Sequence, residues 1–411
     1  MAEAGIVVVG AGEAGARAVA SLRERGYGGP LTLLGEEAHG PYERPPLSKG
    51  VLTAEDEQDG PPSILDPARL QSLAVAHRAG ACAVAIDREA HLLLLADGAS
   101  VPYTKLLLAV GAGPRRLHLA GAGPGDILHL RTFGDALALR RRLRPGARIV
   151  IVGGGFIGLE VAESAVARGC RVAVVEAAPR ILQRGVPEEI ARRVAQVHLD
   201  AGVDLRTGVG LAGIERAGGK TAVALADGST LPCDEVIAGI GAVPRTELAE
   251  AAGLAVENGI RVDDRLRTDD PAIWAAGDCC SFPHPLYGGG RMRLEAWRNA
   301  QDQGAAAAAN MLGADEPYAK VPWFWSDQYD QTLQVAGLAS FGRITVERKL
   351  DGAAMLFHLD QDGRLMAASA FGPNGAIARD VKLAEMLIAR RAQPDPDKLA
   401  DRSVGLKSLL R

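Results

Sequence analysis

Aromatic side chains are scarce in this sequence. Phe, Tyr and Trp make up 4% of its 411 residues, so each tryptophan raises the question of what it does. Long apolar runs are also missing. None approaches the ~18 residues needed to span a bilayer, which argues against a membrane-spanning helix and predicts no membrane partner. Neither charge sign dominates, since 46 basic and 50 acidic side chains leave a net charge of −4. That balance argues against a global nucleic-acid binder while allowing local basic patches. Cysteine is sparse: Cys82, Cys170, Cys233, Cys279 and Cys280 form no C-x-x-C pair. Adjacent Cys279 and Cys280 could close only a strained ring, so all five are expected to be structural thiols. No His/Cys cluster has metal-ligand spacing, and no metal is expected. A strand pattern begins at Ile6, which leaves no room for a secretory leader and predicts a cytoplasmic protein.

What the chain does have is glycine and proline, 50 and 23 residues, with 47% hydrophobic content. That suits an α/β protein rich in turns, and the length predicts two or three domains. The organising stretch is Ile149-Val150-Ile151-Val152-Gly153-Gly154-Gly155-Phe156-Ile157-Gly158. A β-branched run ends in G-x-G-x-x-G, and a helical pattern follows at Ile157, Val161 and Ala165. In such a turn the first glycine (Gly153) permits the tight bend. The second (Gly155) lets a pyrophosphate approach, and the third (Gly158) allows close packing of helix on strand. The N–H groups of the first helical turn then face the phosphates. A second strand, Arg171 to Val175, ends in Glu176, a carboxylate able to bind both hydroxyls of an adenosine ribose and to repel a 2′-phosphate. NADH is therefore expected over NADPH. Arg180 and Arg184 are expected to be solvated, the other reading being a 2′-phosphate site.

The same construction occurs earlier. Ile6 to Val9 leads into Gly10-Ala11-Gly12-Glu13-Ala14-Gly15, and Leu31 to Leu34 leads to Glu36. Two such units imply two dinucleotides, one of which is compatible with a flavin. Next come Gly40 to Gly50, a rigid proline loop bracketed by Arg44 and Lys49, suited to a diphosphate and to a flavin-side ammonium or else an ordinary surface loop. An exposed loop is expected over 57–63. Val75-Ala76, Ala83 to Ile86 and His91 to Leu95 suggest a small antiparallel meander. Asp135 to Leu143 suggests a short helix whose Arg140, Arg141 and Arg142 form a solvated face.

Pro187 to Ala201 has helix chemistry, with proline at the first position and Glu188 and Glu189 in the first turn. A second meander is expected from Asp204 to Leu231, with turns at Gly218-Gly219 and Asp227-Gly228. Asp234 to Pro244 suggests the return crossing. Ile273 to Asp278 is a strand ending in Gly-Asp, where an aspartate can bind ribityl hydroxyls. A long helix is expected from near Glu295. After Trp323, strands near 333–337, 343–348, 354–359 and 365–370 and a helix over 375–391 suggest a smaller α+β domain. The expected fold is thus α/β, with two Rossmann-like dinucleotide-binding domains, the second inserted in the first, and a C-terminal α+β domain. The expected boundaries are 1–112 and 244–322 for the first domain, 113–243 for the second and 323–411 for the third.

Together these motifs resemble FAD-containing, NADH-dependent ferredoxin reductases of the putidaredoxin reductase kind, which serve bacterial cytochrome P450 and ring-hydroxylating oxygenase systems. The most specific segments are Pro41 to Lys49, Gly277-Asp278 and Pro322-Trp323-Phe324-Trp325-Ser326-Asp327-Gln328. The wider fold is that of glutathione reductase, without that enzyme's cysteine pair. The resemblance implies that Gly10, Gly12, Gly15, Glu36, Arg44, Lys49 and Asp278 contact FAD, and that Glu295 and Trp297 lie near the isoalloxazine. Gly153, Gly155, Gly158 and Glu176 would contact NADH. Glu160 would pair with Lys49 beside flavin N5. Val110 departs from the usual Thr, which removes a hydroxyl but not the backbone path.

The implied partner is a [2Fe–2S] ferredoxin, met transiently by a monomer or weak dimer. A rubredoxin reductase, a redox-responsive binding flavoprotein like apoptosis-inducing factor, and a peroxide or disulfide reductase are the alternatives. Trp323 and Trp325 either seal a domain junction or, in the case of Trp325 above all, lie beside the ferredoxin.

Overall fold

A computed structural model describes residues 4–55, 60–217, 220–373 and 375–410. The expected Gly218-Gly219 turn and residues 57–59 of the expected loop lie outside these. The chain forms two compact units. The first comprises Met1–Glu43, Asp59–Gly113 and Val243–Lys320, and the second comprises Arg44–Gln58, Pro114–Ala242 and Val321–Arg411.

In the first unit, strand Gly5–Val9 lies between Leu31–Gly35 and Ser100–Leu108, parallel to both. These strands are nearly continuous apolar runs because helices cover both faces of a parallel sheet, and Ile6, Val8, Leu33, Leu34, Leu106, Leu107 and Leu108 are buried. The long Ser100–Leu108 strand has two further partners. Its first half pairs antiparallel with Leu92–Leu95, and its second half pairs parallel with Ile273–Ala275. Residues late in the chain therefore complete the first sheet. The helix Glu13–Glu24 that follows the glycine turn packs on Trp297–Met311. Gly304 makes that crossing possible, since a Cβ there would sit 2.3 Å from the Ala14 carbonyl oxygen.

In the second unit a five-stranded parallel sheet runs in the order Asp204–Thr207, Arg171–Glu176, Arg148–Val152, Glu235–Ala238, Ile127–Leu128. A three-stranded antiparallel sheet and an antiparallel five-stranded sheet accompany it. The latter has the order Trp323–Gln328, Gln331–Gly337, Leu365–Pro373, Ala353–Leu359, Ile344–Leu350. One apolar cluster joins Leu159, Ile190 and Val194 to Leu333, Val335, Leu356 and Phe371.

Several local expectations need correction. Ala76–Ala79 and Asp204–Thr207 are parallel edge strands beside Leu31–Gly35 and Arg171–Glu176, not the first strands of meanders. Four-residue runs carry no signature of strand direction, and the crossover from the preceding helix sets it. Pro187 is the N-cap of the Glu188–Asp200 helix rather than its first residue, with ψ of 150°. The short basic helix spans Phe133–Arg142 and is opened by a capping box between Thr132 and Asp135. Its Arg140 is buried, while Arg141 and Arg142 are exposed, with Arg142 paired to Glu235 at 2.8 Å, so the solvated face comprises two of the three arginines. In the Phe156–Ala167 helix Ile157 is 46% exposed while Val161 and Ala165 are buried.

Candidate functional site

The two glycine turns superimpose in kind, residue for residue. Gly10 and Gly153 have φ of 111° and 104°, a region open to glycine and strained for other residues. A Cβ on Gly15 would sit 1.9 Å from the Gly10 oxygen, and one on Gly158 would sit 2.1 Å from the Gly153 oxygen. Packing therefore demands these four glycines. The middle glycine is different. A Cβ on Gly12 would meet nothing within 4 Å, and one on Gly155 would meet only the Gly239 oxygen, at 3.8 Å. Protein packing does not require glycine there, and a group approaching the bare backbone does. Both turns thus fit a dinucleotide diphosphate. The Val110 amide lies where a Cβ on Gly10 would reach it at 3.1 Å, as the Ile240 amide does for Gly153 at 3.3 Å.

The acidic residues after the second strands differ. Glu36 is exposed and paired with Arg245. Glu176 is fixed at its own turn, accepting hydrogen bonds from the Gly154 N–H at 2.8 Å and the Ala178 N–H at 2.7 Å. Arg180 is half-buried, and its guanidinium donates to the carbonyls of Ile181, Leu182, Gln183 and Val186. Arg184 is exposed.

In the first unit, Gly277 lies against the glycine-turn helix, where a Cβ would come 3.1 Å from the Ala14 Cβ. That places Gly277-Asp278 beside the first turn. Arg293 donates to the Asp278 carbonyl at 3.3 Å and pairs with Glu295 at 2.5 Å. Trp297 opens the Trp297–Met311 helix beside Glu13, to which Gln301 donates at 3.3 Å. Burial, with a smaller contribution from the Glu43 charge, pushes the Glu13 carboxyl from 4.5 up to about 7. A carboxyl raised by folding contributes stability below its unfolded value that is lost as pH rises to the folded one. Glu13→Gln is therefore expected to raise Tm at pH 8 and leave it unchanged at pH 4, as measured by thermal unfolding. Equal shifts at both pH values would refute this.

In the second unit, Pro45 and Pro46 shape a short turn, Pro45–Ser48, with Lys49 next. Arg44 donates to the Arg131 carbonyl. Lys49 Nζ lies 3.5 Å from Glu160 Oε1 and 2.8 Å from Asp327 Oδ2. Its ammonium is also 5.8 Å from the Trp325 ring centroid. Burial acts to lower the lysine pKa, but the Glu160 and Asp327 charges outweigh it and raise it. Glu160 is buried on the Phe156–Ala167 helix and accepts from Ser48 Oγ at 2.5 Å and Ser326 Oγ at 2.6 Å. Burial raises its carboxyl against the pull of Lys49 and both hydroxyls.

Ser48, Ser326 and Asp327 do not stand out individually as site residues in the sequence. The signal for two of them was the period of two in the Trp323–Gln328 strand. Phe324, Ser326 and Gln328 share one face, and Trp323, Trp325 and Asp327 the other. Phe324 accordingly meets Phe156 at 5.2 Å between centroids, while Trp323 and Trp325 stack at 5.3 Å. Both tryptophans are half-buried.

The five cysteines are unpaired. Cys279 and Cys280 are fully buried, and burial pushes the former up to about 11 and the latter well above the usual thiol value. Such thiols are poor nucleophiles. Among the described residues no His/Cys/Asp/Glu group is arranged to hold a metal, and no helix is long and apolar enough to cross a membrane.

Residues 4–304 match the pyridine nucleotide-disulphide oxidoreductase family, and residues 323–410 match the reductase C-terminal family. The ferredoxin–NAD(+) reductase component of the anthranilate 1,2-dioxygenase system of Burkholderia cepacia is 43% identical over 410 residues, covering 98% of each chain. A ferredoxin reductase structure from Rhodopseudomonas palustris aligns over 100% of both chains with a TM-score of 0.94 and 37% identity. The covalent putidaredoxin reductase–putidaredoxin complex aligns over 100% of this chain and 99% of the other, with a TM-score of 0.92 and 35% identity. The chain belongs to the pyridine nucleotide-disulphide oxidoreductase family, with a reductase C-terminal domain as its last part.

Proposed function

We propose that this protein is an FAD-dependent NADH:ferredoxin oxidoreductase that supplies a [2Fe–2S] ferredoxin of a cytochrome P450 or other oxygenase system. The observation that carries this reading is the end-to-end likeness to a ferredoxin–NAD(+) reductase, together with two open-glycine turns in one chain. Bound FAD supplies the exchange between two-electron and one-electron chemistry, while the protein supplies binding, alignment and electrostatics. Gly10, Gly12, Gly15, Glu36, Arg44 and Asp278 hold FAD, with Glu295 and Trp297 near its ring system. Gly153, Gly155, Gly158 and Glu176 hold NADH. Lys49 and Glu160 serve the reducible edge of the flavin. In domain terms, 1–112 and 244–322 bind FAD, 113–243 bind NADH, and 323–411 form the third domain. Unpaired cysteines fit the reducing cytosol, where NADH is available.

Cytochrome c reduction by NADH is expected to depend strongly on added [2Fe–2S] ferredoxin. Equal rates with and without it, alongside a long-lived reduced complex, would instead favour a redox-responsive binding protein. Preference for rubredoxin over ferredoxin would name a different iron–sulfur partner.

A further inference from the structure

Behind the Lys49–Glu160 pair runs a buried chain of hydrogen bonds that reaches the Glu188–Asp200 helix. His198 Nε2 is 2.8 Å from Gln328 Oε1, Gln328 Nε2 is 2.8 Å from Ser326 Oγ, and Ser326 Oγ is 2.6 Å from Glu160 Oε1. His198, Gln328 and Ser326 are each 0% exposed. We propose that His198 is a positioning residue that, through Gln328 and Ser326, holds Glu160 as the anion that orients Lys49. The inference rests on the reading that Lys49 and Glu160 serve flavin reduction.

The direction of the chain follows from its far end. An ionised carboxylate only accepts, so Ser326 donates its hydroxyl hydrogen to Glu160. The Ser326 oxygen then accepts from the Gln328 amide nitrogen, which turns the Gln328 oxygen toward His198. His198 must therefore carry its hydrogen on Nε2. Its Nδ1 is buried without a hydrogen-bond partner, which suits the bare nitrogen of the neutral tautomer better than an N–H. Burial also holds the ring below its usual pKa. The ring is braced by Tyr329, edge-on at 5.2 Å between centroids.

Each dipole in the chain points its positive end at Glu160, and such chains strengthen cooperatively in a low-dielectric interior. The other titratable groups facing this chain are Lys49 from the proline turn, Glu163 on the helix of Glu160, and Asp327 and Tyr329 from the strand and its turn. Lys49 favours the anion. Glu163 and Asp327 oppose it, so burial is countered by Lys49, by the Ser48 hydroxyl and by the donor chain that ends at Ser326. A proton cannot be relayed through the Gln328 amide without an unfavourable tautomer. The chain therefore orients and polarises rather than conducts.

The test uses the FAD-loaded protein. The flavin visible band is titrated with pH in the oxidised state, and its bleaching by NADH is followed by stopped flow over the same range. Removing a donor from the charged form raises a carboxyl pKa. His198→Phe is expected to move the Glu160-dependent limb of both profiles up by roughly one pH unit, and His198→Gln, which returns a donor near Nε2, to restore it. In a Glu160→Gln background, His198→Phe should change neither profile. An unmoved limb in His198→Phe, with FAD retained, overturns the inference, as does an effect that persists undiminished in Glu160→Gln. If Glu160→Gln itself leaves both profiles unchanged, the reading of the Lys49–Glu160 pair falls with it. If Glu160→Gln alters them and His198→Phe does not, only the positioning role falls. Should His198→Phe lose FAD or unfold, Ser326→Ala makes the same test at the last link, with the same outcomes.

Discussion

Lys49→Met is expected to slow bleaching of the flavin band by NADH roughly a hundredfold while FAD stays bound. The argument is electrostatic. If Lys49 lies beside the flavin as proposed, reduction by NADH would add negative charge near its ammonium, and a fixed ammonium that needs no reorganisation would stabilise that charge. Removal of one preorganised group of this kind typically costs on the order of a hundredfold or more in rate. Lys49 is preorganised from three sides. Glu160 and Asp327 lie 3.5 and 2.8 Å from its nitrogen, and the Trp325 ring lies alongside. Methionine keeps the length and much of the apolar stem, so the neighbouring fold should persist. Stopped-flow bleaching under anaerobic conditions gives the rate, and flavin content after gel filtration checks occupancy. An unchanged rate would mean that the lysine plays no part in the chemistry. Loss of FAD with the rate would mean that it acts in binding.

The sequence made some of this site readable and hid the rest, for physical reasons. Gly10 to Gly15 and Gly153 to Gly158 were readable because a glycine turn is local. Its φ values and close approaches are settled within six residues, and duplication of the pattern multiplied its weight. The Lys49–Glu160 pair spans more than a hundred positions and came only from resemblance to a family. Asp327, which sits nearer the lysine than Glu160 does, was hidden by the same distance along the chain. Its motif drew notice for its tryptophans, yet strand alternation alone would have set Asp327 with Trp325 and Ser326 with Gln328. The edge strands Ala76–Ala79 and Asp204–Thr207 misled because direction is a property of pairing, not of composition. Arg140 and Arg180 misled because local sequence reports neither the burial of a guanidinium nor the carbonyls that fold onto it.

The wild-type protein is expected to use NADH over NADPH by roughly a hundredfold or more in kcat/KM, the equivalent of a few kcal/mol. Glu176 ends the strand that follows the second glycine turn, and the Gly154 and Ala178 N–H groups fix its carboxylate there. A carboxylate held this way keeps accepting capacity for ribose hydroxyls and presents a fixed negative charge to a 2′-phosphate. The nearest candidate counter-charge is already committed, since Arg180 spends its guanidinium on four backbone carbonyls. Arg184 is the remaining exposed cation of that loop, so Arg184→Ala should leave the ratio unchanged. Glu176→Ala should bring the two nucleotides to within about tenfold, losing hydroxyl recognition for NADH and repulsion for NADPH together. The ratio, not either rate alone, is the measurement that decides. If the carboxylate merely braces the turn through Gly154 and Ala178, its removal lowers both kcat/KM values equally and the ratio stays where it was. Equal use of both nucleotides by the wild-type protein would remove Glu176 from cofactor selection altogether and turn attention to Arg184.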